Sequence, residues 1–334
     1  MEPRNASDAL VPPSLLTLLD DILDYAGLLP PAALSLPQAL RGYTDHREEP
    51  ESWFLSRFVL PVRQLPDLPP HKNLFVNGPP VRFSVLGTGG PDRDAFLDAF
   101  ARDLEVINDF DVEYGGQTQV DVMEVPLPTS AVGDDQSALN SFFTEVDRRL
   151  IQTGTVKLDL FLELPMQPSA VDALPALCAA VAEHNSRQAI PARSTMGLKV
   201  RCGGRAPSDV PSVEALAALI VACRDARVPF KAATGLQHPI RHYDDGLDTE
   251  MHGFVSLFAA AVLAVEHQLD PEHVQTILRE ETANNFRFEK EHFSWRNLSA
   301  SLDGIRHTRD HLARSFSSCS FENPIDHLRD LDLL

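Results

Sequence analysis

The chain has 334 residues, 43% of them hydrophobic, with 29 basic against 48 acidic side chains and a net charge of −19. That length and apolar content support a sizeable core, while the acidic balance speaks against nucleic acid and anionic membranes as partners, since both need a basic surface. It leaves room for a small anionic ligand in a locally basic pocket. The four cysteines, Cys178, Cys202, Cys223 and Cys319, form no CxxC and no finger spacing. With no secretory signal at the N-terminus they read as reduced thiols of a cytoplasmic protein. The longest apolar run, Phe254–Val265, falls short of the ~20 residues that span a bilayer, so no membrane segment is expected.

Residues 1–13 carry prolines and read as a frayed tail. A helix is expected from Ser14, with Leu15, Leu18, Leu19, Ile22 and Leu23 on one face. A short strand or turn follows at Asp24–Pro31, then a second helix over Leu36–His46, with Ser35 as cap and Pro37 in its first turn. Strands are expected at Arg57–Pro61, Val81–Leu86, Val120–Leu127 and Val156–Leu164, the last three followed by helices at about 91–106, 136–152 and 169–184. The Pro-rich stretch Leu65–Pro80 reads as a long loop. Two strands carrying Lys199 and Lys231 then flank a helix over Ser212–Arg227. Further helices are expected over Glu250–His267, Pro271–Glu280 and Asn297–Ala313, with a short strand at Phe286–Phe288 and a last one at Ser315–Phe321.

Alternating strands and helices imply a parallel sheet with helices outside. In Val156–Leu164 the leucines at 158, 160, 162 and 164 share one face, and Lys157, Asp159, Phe161 and Glu163 share the other. A central strand of an open, doubly wound sheet is apolar on both faces, whereas a barrel strand can turn polar groups inward near its mouth. The expected class is therefore α/β, a (β/α)8 TIM-type barrel with some distortion and extra N-terminal helices. Residues 1–334 are expected to form a single barrel domain, with 1–50 as an N-terminal helical extension.

The chemistry centres on two segments, Gly197-Leu198-Lys199-Val200-Arg201-Cys202-Gly203-Gly204 and Val228-Pro229-Phe230-Lys231-Ala232-Ala233-Thr234-Gly235. Each lysine lies near the end of its strand, the end at which α/β folds bind ligands. Lys199 and Arg201 are two apart and point to the same side, and Lys231 comes from the next strand, so three cations are expected to converge. A lysine desolvated among cations loses its proton more easily and becomes a nucleophile. The structural alternative is that these cations pair with inward carboxylates such as Asp159 and Glu163. Glu124 and Glu163, at the ends of their strands, are candidates for general acid or base, or for salt bridges to Lys199 or Arg201.

The loop Thr234–His242 extends the second lysine strand. There His238 is stiffened by Pro239, and Arg241 suits a carboxylate or phosphate. Gly203, Gly204 and Ser317 are candidates for an N–H-rich rim around a substrate anion, though tight turns explain the glycines equally well, as they do Gly87–Gly90. His238, His242 and His252 have no HxH or HExxH spacing, so no metal ligand is assigned. Cys319 reads as a small buried residue rather than a nucleophile.

A lysine on one late barrel strand followed by glycines, one helix, then a strand with Lys-Ala-x-x-Gly resembles deoxyribose-phosphate aldolase, over about residues 197–241. That resemblance implies a class I barrel in which Lys199 forms a Schiff base with a carbonyl substrate and Lys231 lowers its pKa. The sequence departs from the family's pattern at Val200-Arg201-Cys202 and again at Ala233–Arg241. The segments around Asp24–Pro31, Phe230–Arg241 and Ser315–Pro324 also resemble a group of bacterial proteins, which implies no particular activity.

The leading expectation is thus an aldolase- or lyase-type enzyme acting on a small anionic carbonyl compound. Lys199, Lys231, Glu163 and Glu124 would be catalytic, with Arg201, Gly203, Gly204, His238, Arg241 and Ser317 binding substrate and no cofactor required. One alternative is a metal-assisted, enolase-like lyase or isomerase using Glu124, Glu163 and a histidine. Another is a non-catalytic barrel that binds a small anion or serves as a scaffold. A homo-oligomer is compatible with either.

Overall fold

In the computed structural model, which describes residues 11–75, 78–154, 157–187 and 195–334, parallel strands close into an eight-membered barrel. We number them β1 (Leu23–Tyr25), β2 (Leu55–Pro61), β3 (Val81–Leu86), β4 (Thr118–Pro126), β5 (Asp159–Leu164), β6 (Met196–Arg201), β7 (Phe230–Ala233) and β8 (Ala313–Ser318). They follow chain order around the ring, and β8 closes it by pairing with β1. The tail at 1–10 and the expected first residue of β5, Val156, lie outside the described residues.

The barrel expected from the alternation in β5 is present: Leu160, Leu162 and Leu164 pack outward into the core while Asp159 and Glu163 face the interior. Helices cover the outside at Arg93–Tyr114, Gln136–Thr153, Pro168–Ser186 and Val213–Ala226. Three of these begin at a side-chain cap, Asp92, Asp135 or Ser212, accepting from a backbone N–H three residues on. The largely apolar helix Phe254–His267 is buried throughout its first eleven residues. Phe54, Phe254 and Phe316 join it to the barrel wall, with ring centroids 5.0–6.1 Å apart.

Several expected elements take another form. The supposed extension at 1–50 contributes the first barrel strand, lying between helices at Pro13–Leu19 and Leu36–His46. The expected loop at 65–80 is wound into 3₁₀ turns over Val62–Asp67 and Pro69–Phe75, which stand where a regular barrel has a helix. Between β7 and β8 the chain inserts a hairpin (His242–Asp244 with Thr249–Met251), two helices and a three-stranded antiparallel sheet over Phe286–Ser301. Leu298–Ser301, expected to be helical, is an edge strand of that sheet, and its helix begins only at Leu302. A helix at Glu322–Asp330, not anticipated, follows β8.

Three places in the barrel depart from two-residue periodicity. Val120 pairs with Phe83 and Val122 with Ser84, so Asp121 is an extra residue in β4. Ser56 and Arg57 together face Asp24 between the pairs Leu23–Leu55 and Tyr25–Phe58. Arg314 and Ser315 face Lys231 between Ala313–Phe230 and Phe316–Ala232. A bulge puts consecutive residues on one side of a strand, and each of these bulges turns additional polar side chains into the barrel.

Candidate functional site

Register places Glu163, Lys199 and Lys231 side by side on β5, β6 and β7. Alternation points all three inward, where they meet Glu124 of β4 and Asp24 of β1. Lys199 Nζ lies 2.7 Å from both Glu124 Oε2 and Glu163 Oε2. The Glu124 contact is a buried ion pair. Lys231 Nζ lies 2.5 Å from Glu124 Oε1 and 2.7 Å from Asp24 Oδ2, and 5.5 Å over the Phe161 ring. Ser84 Oγ donates to Glu124 Oε1, and Ser315 Oγ donates to Asp24 Oδ2.

The network continues toward the N-terminal ends of the strands. Arg57 bonds Asp24 through its backbone N–H and holds Asp121 with a two-pronged guanidinium contact at 2.7 and 3.0 Å. Arg82 joins Asp121 to Asp21. The interior is thus an alternating ladder of charge: Arg201, Glu163, Lys199, Glu124, Lys231, Asp24, Arg57, Asp121, Arg82, Asp21. Unpaired, any one of its buried members, Lys199, Glu124, Lys231 or Asp24, would cost several kcal/mol, on the order of the effective desolvation penalty of an ion. Strict alternation gives each inner member a partner on both sides.

This arrangement corrects one expectation. Lys199 is not crowded by cations, because Glu124 stands between it and Lys231, and Glu163 stands between it and Arg201. Burial pulls its pKa down, but Glu124 and Glu163 outweigh burial and the net shift is upward. For Glu124, burial raises the pKa, yet Lys199 and Lys231 overcome it and hold the carboxyl well below its ordinary range. Asp24 behaves likewise: burial opposes ionisation, and Lys231 and Arg57 reverse the balance. At neutral pH Lys199 is an ammonium between two carboxylates.

The two lysines differ in access. Lys231 is 1% exposed, whereas Lys199 is 7% exposed and its partner Glu163 is only half-buried. Arg201, at the strand end, projects outward and approaches Glu163 at 3.9 Å. Above this level β7 ends in two left-handed residues, Thr234 (φ 61°) and Gly235 (φ 77°). A β-branched residue in that region is strained. Gly203 passes so close to Gly235 that a Cβ on it would lie 2.9 Å from the Gly235 Cα, and one on Gly204 would strike the Asp209 side chain at 2.3 Å. Both positions are therefore explained by turn packing, whatever else they contact. Ser317, beside Asp24 and Ala233 in register, keeps its buried Oγ without a hydrogen bond.

His238 and Arg241 stand apart from the ladder. The His238 ring lies tilted between His242 and His327 at centroid distances of 4.4 and 4.8 Å, and its Nδ1 contacts the Ile240 carbonyl. Arg241 lies against Glu250 and Glu281. Cys319 is half-buried and accepts from the Gln237 amide. Among the described residues no group of three His, Cys, Asp or Glu side chains is placed to hold a metal ion. Asp24, Ser84, Ser315, Arg57 and Asp121 were not singled out in the sequence, although Asp24 is a lone acid between apolar neighbours in Leu23-Asp24-Tyr25.

His252 packs away from the ladder, 1% exposed, with Nε2 2.7 Å from the Pro211 carbonyl, and burial depresses its pKa to about 4. The unfolded chain binds this proton from about pH 6.5 downward and the folded chain only near 4. This histidine therefore lowers stability as pH falls through that window, by up to about 3 kcal/mol. Urea midpoints at pH 7 and pH 4.5 are expected to differ less in His252→Asn than in the unaltered protein.

No protein-family profile matches this sequence, and no curated protein matches it. Among solved structures the chain is similar to a tetrameric deoxyribose phosphate aldolase from Aeropyrum pernix. The identity is 13%, over 70% of this chain and 87% of that one, with a TM-score of 0.40. It is also similar to a dipeptide epimerase from Methylococcus capsulatus in complex with Mg, at 14% identity over 85% of this chain and 66% of that one, TM-score 0.28. The same epimerase with Mg and the dipeptide L-Arg-D-Lys gives 13% identity, 74% and 62% coverage, and a TM-score of 0.25. No helix among the described residues is long and apolar enough to cross a membrane.

Proposed function

We propose that the protein is a barrel enzyme of the aldolase or lyase type, in which Lys199 forms an imine with a small anionic carbonyl compound. The observation that carries this reading is the position of Lys199 Nζ, near the open end of the barrel and 2.7 Å from each of two carboxylates. Attack needs the free amine, so the ammonium proton must first leave. Glu163 is the better acceptor, because Glu124 keeps Lys231 as a second cation at 2.5 Å while Glu163 has only the exposed Arg201 at 3.9 Å. The amine adds to the carbonyl carbon to give a carbinolamine. Glu163 returns its proton to the departing hydroxyl, which leaves as water.

The iminium that results carries one positive charge where the ammonium stood, so the ladder's alternation is preserved. Flanking carboxylates that raise the pKa of Lys199 make the resting amine scarcer and stabilise the iminium. Adduct formation is accordingly expected to accelerate as pH rises toward the Lys199 pKa. The unpaired Ser317 hydroxyl and the outward-facing Arg201 are the groups available to an anionic substrate at this end of the barrel.

The test is intact-mass spectrometry after borohydride reduction with a panel of small aldehydes, ketones and keto acids. A single adduct in the unaltered protein, lost in Lys199→Ala, is the expected result. The ion-paired state of Lys199 favours one other reading, a barrel that binds an anion through this cation without turnover. Absence of any adduct, with weaker anion binding in Lys199→Ala, would select it.

A further inference from the structure

Outside the ladder, a cavity of about 410 Å³ opens between the loop after β6 and the hairpin that follows β7. None of the ladder side chains lines it. Its wall includes Ser212, Glu214, Arg241, Glu250, His252 and Arg279, and polar groups with incomplete bonding gather there. The Arg241 side chain is 16% exposed, and it approaches Glu250 and Glu281 at 3.5 and 3.8 Å, beyond good hydrogen-bond distance. Glu250 Oε2 is buried without a hydrogen bond, and so is His252 Nδ1. The Pro211 carbonyl can only accept, so His252 Nε2 carries the proton and Nδ1 presents a lone pair. The fourteen-residue helix Val213–Ala226 also begins at this cavity.

These groups sort into two complementary sets. Arg241 has acceptors only at 3.5 and 3.8 Å and so can take a closer one; Glu250 Oε2 and His252 Nδ1 have no hydrogen-bond donor. The ionisable lining balances, with Arg241 and Arg279 against Glu214 and Glu250. A phosphate dianion would meet two carboxylates it cannot satisfy, and a simple cation would meet two guanidinium groups. A ligand with a carboxylate and an ammonium a few bonds apart satisfies both sets. We propose that this cavity binds a free α-amino acid, its carboxylate on Arg241 and its ammonium on Glu250 and His252.

The site involves neither Lys199 nor imine chemistry, so its test is independent of the proposed reaction. Calorimetric titration of the full chain with the common L-amino acids is compared with acetate, methylamine and inorganic phosphate. At least one amino acid is expected to bind at least about tenfold more tightly than acetate or methylamine, since each single-charge probe leaves one set unpaired. Arg241→Met and Glu250→Gln should each weaken that binding by roughly tenfold or more. Circular dichroism melting identifies variants that remain folded, and Arg241→Lys provides a second, milder replacement. Binding of phosphate in preference to every amino acid, no binding by any amino acid, or unchanged affinity in the folded variants would each overturn the proposal.

Discussion

Replacing Lys231 by methionine is expected to cost the protein about 3–5 kcal/mol of stability, the range for removing one partner of a buried ion pair. The side chain is 1% exposed and its ammonium is shared between Asp24 and Glu124, which are 0% and 2% exposed. Methionine fills a similar volume and cannot answer either carboxylate, so both must protonate or remain buried and charged. Urea denaturation measures the loss. The cause is separable from packing: adding Glu124→Gln to Lys231→Met should restore part of the stability, since an uncompensated charge then becomes a neutral amide. A loss within about 1 kcal/mol would mean that water reaches these groups and that the ladder is far weaker than its geometry implies. The same pairing sets a pH plateau. Asp24 and Glu124 have depressed folded pKa values, so their contribution holds above their unfolded values and is lost as pH falls through the folded ones. Lys199 has a raised pKa, so its contribution holds below the ordinary lysine value of 10.5 and is lost as pH rises through the folded value.

The second large effect is expected for Glu124→Gln, which removes the carboxylate shared by both lysines. Lys231 retains Asp24 and Lys199 retains Glu163, but the two ammonium groups now face each other across a neutral amide. Lys199, the more accessible, should give up its proton at lower pH than in the unaltered protein. The rate of amine labelling at Lys199, followed by peptide mass spectrometry across pH, should show its midpoint displaced to lower pH. This variant therefore creates the cation-crowded lysine that the sequence suggested and that the native structure avoids. A midpoint that stays in place would show that Glu163 alone governs Lys199.

Much of the site was legible because its parts follow local rules. Lys199 and Lys231 sit at matching points of one β-α-β unit, and Glu124 and Glu163 are acids near the ends of strands with clear alternation. What the sequence could not show is which charge stands between which. Glu124 reaches the gap between the lysines from two strands away, past β5, and nothing in the chain order of β4, β6 and β7 announces that contact. Asp24 was hidden by the shortness of its strand, three residues with no period to count. Asp121 was hidden for a different reason. It lies three residues before Glu124 and so should face the opposite side, and only the extra residue in β4 lets both turn inward. The insert after β7 was misread where Leu298–Ser301 runs directly into a helix, since its true partner, His292–Trp295, is an antiparallel neighbour.

The pairing of β1 with β8 has a consequence for the order of assembly. Asp24 and Ser315, bonded at 2.7 Å, are separated by 291 positions, and β8 lies beyond the whole insert after β7. The short first strand has β2 as one neighbour and gains its second, β8, only from beyond that insert. Without that closure β1 and β8 would be sheet edges, and Lys231 would keep Glu124 but lack the Asp24 position that closure fixes. Closure of so long a loop comes late and slowly. The contact of Lys231 with Asp24 thus belongs to the part of the charged interior that depends on this last pairing.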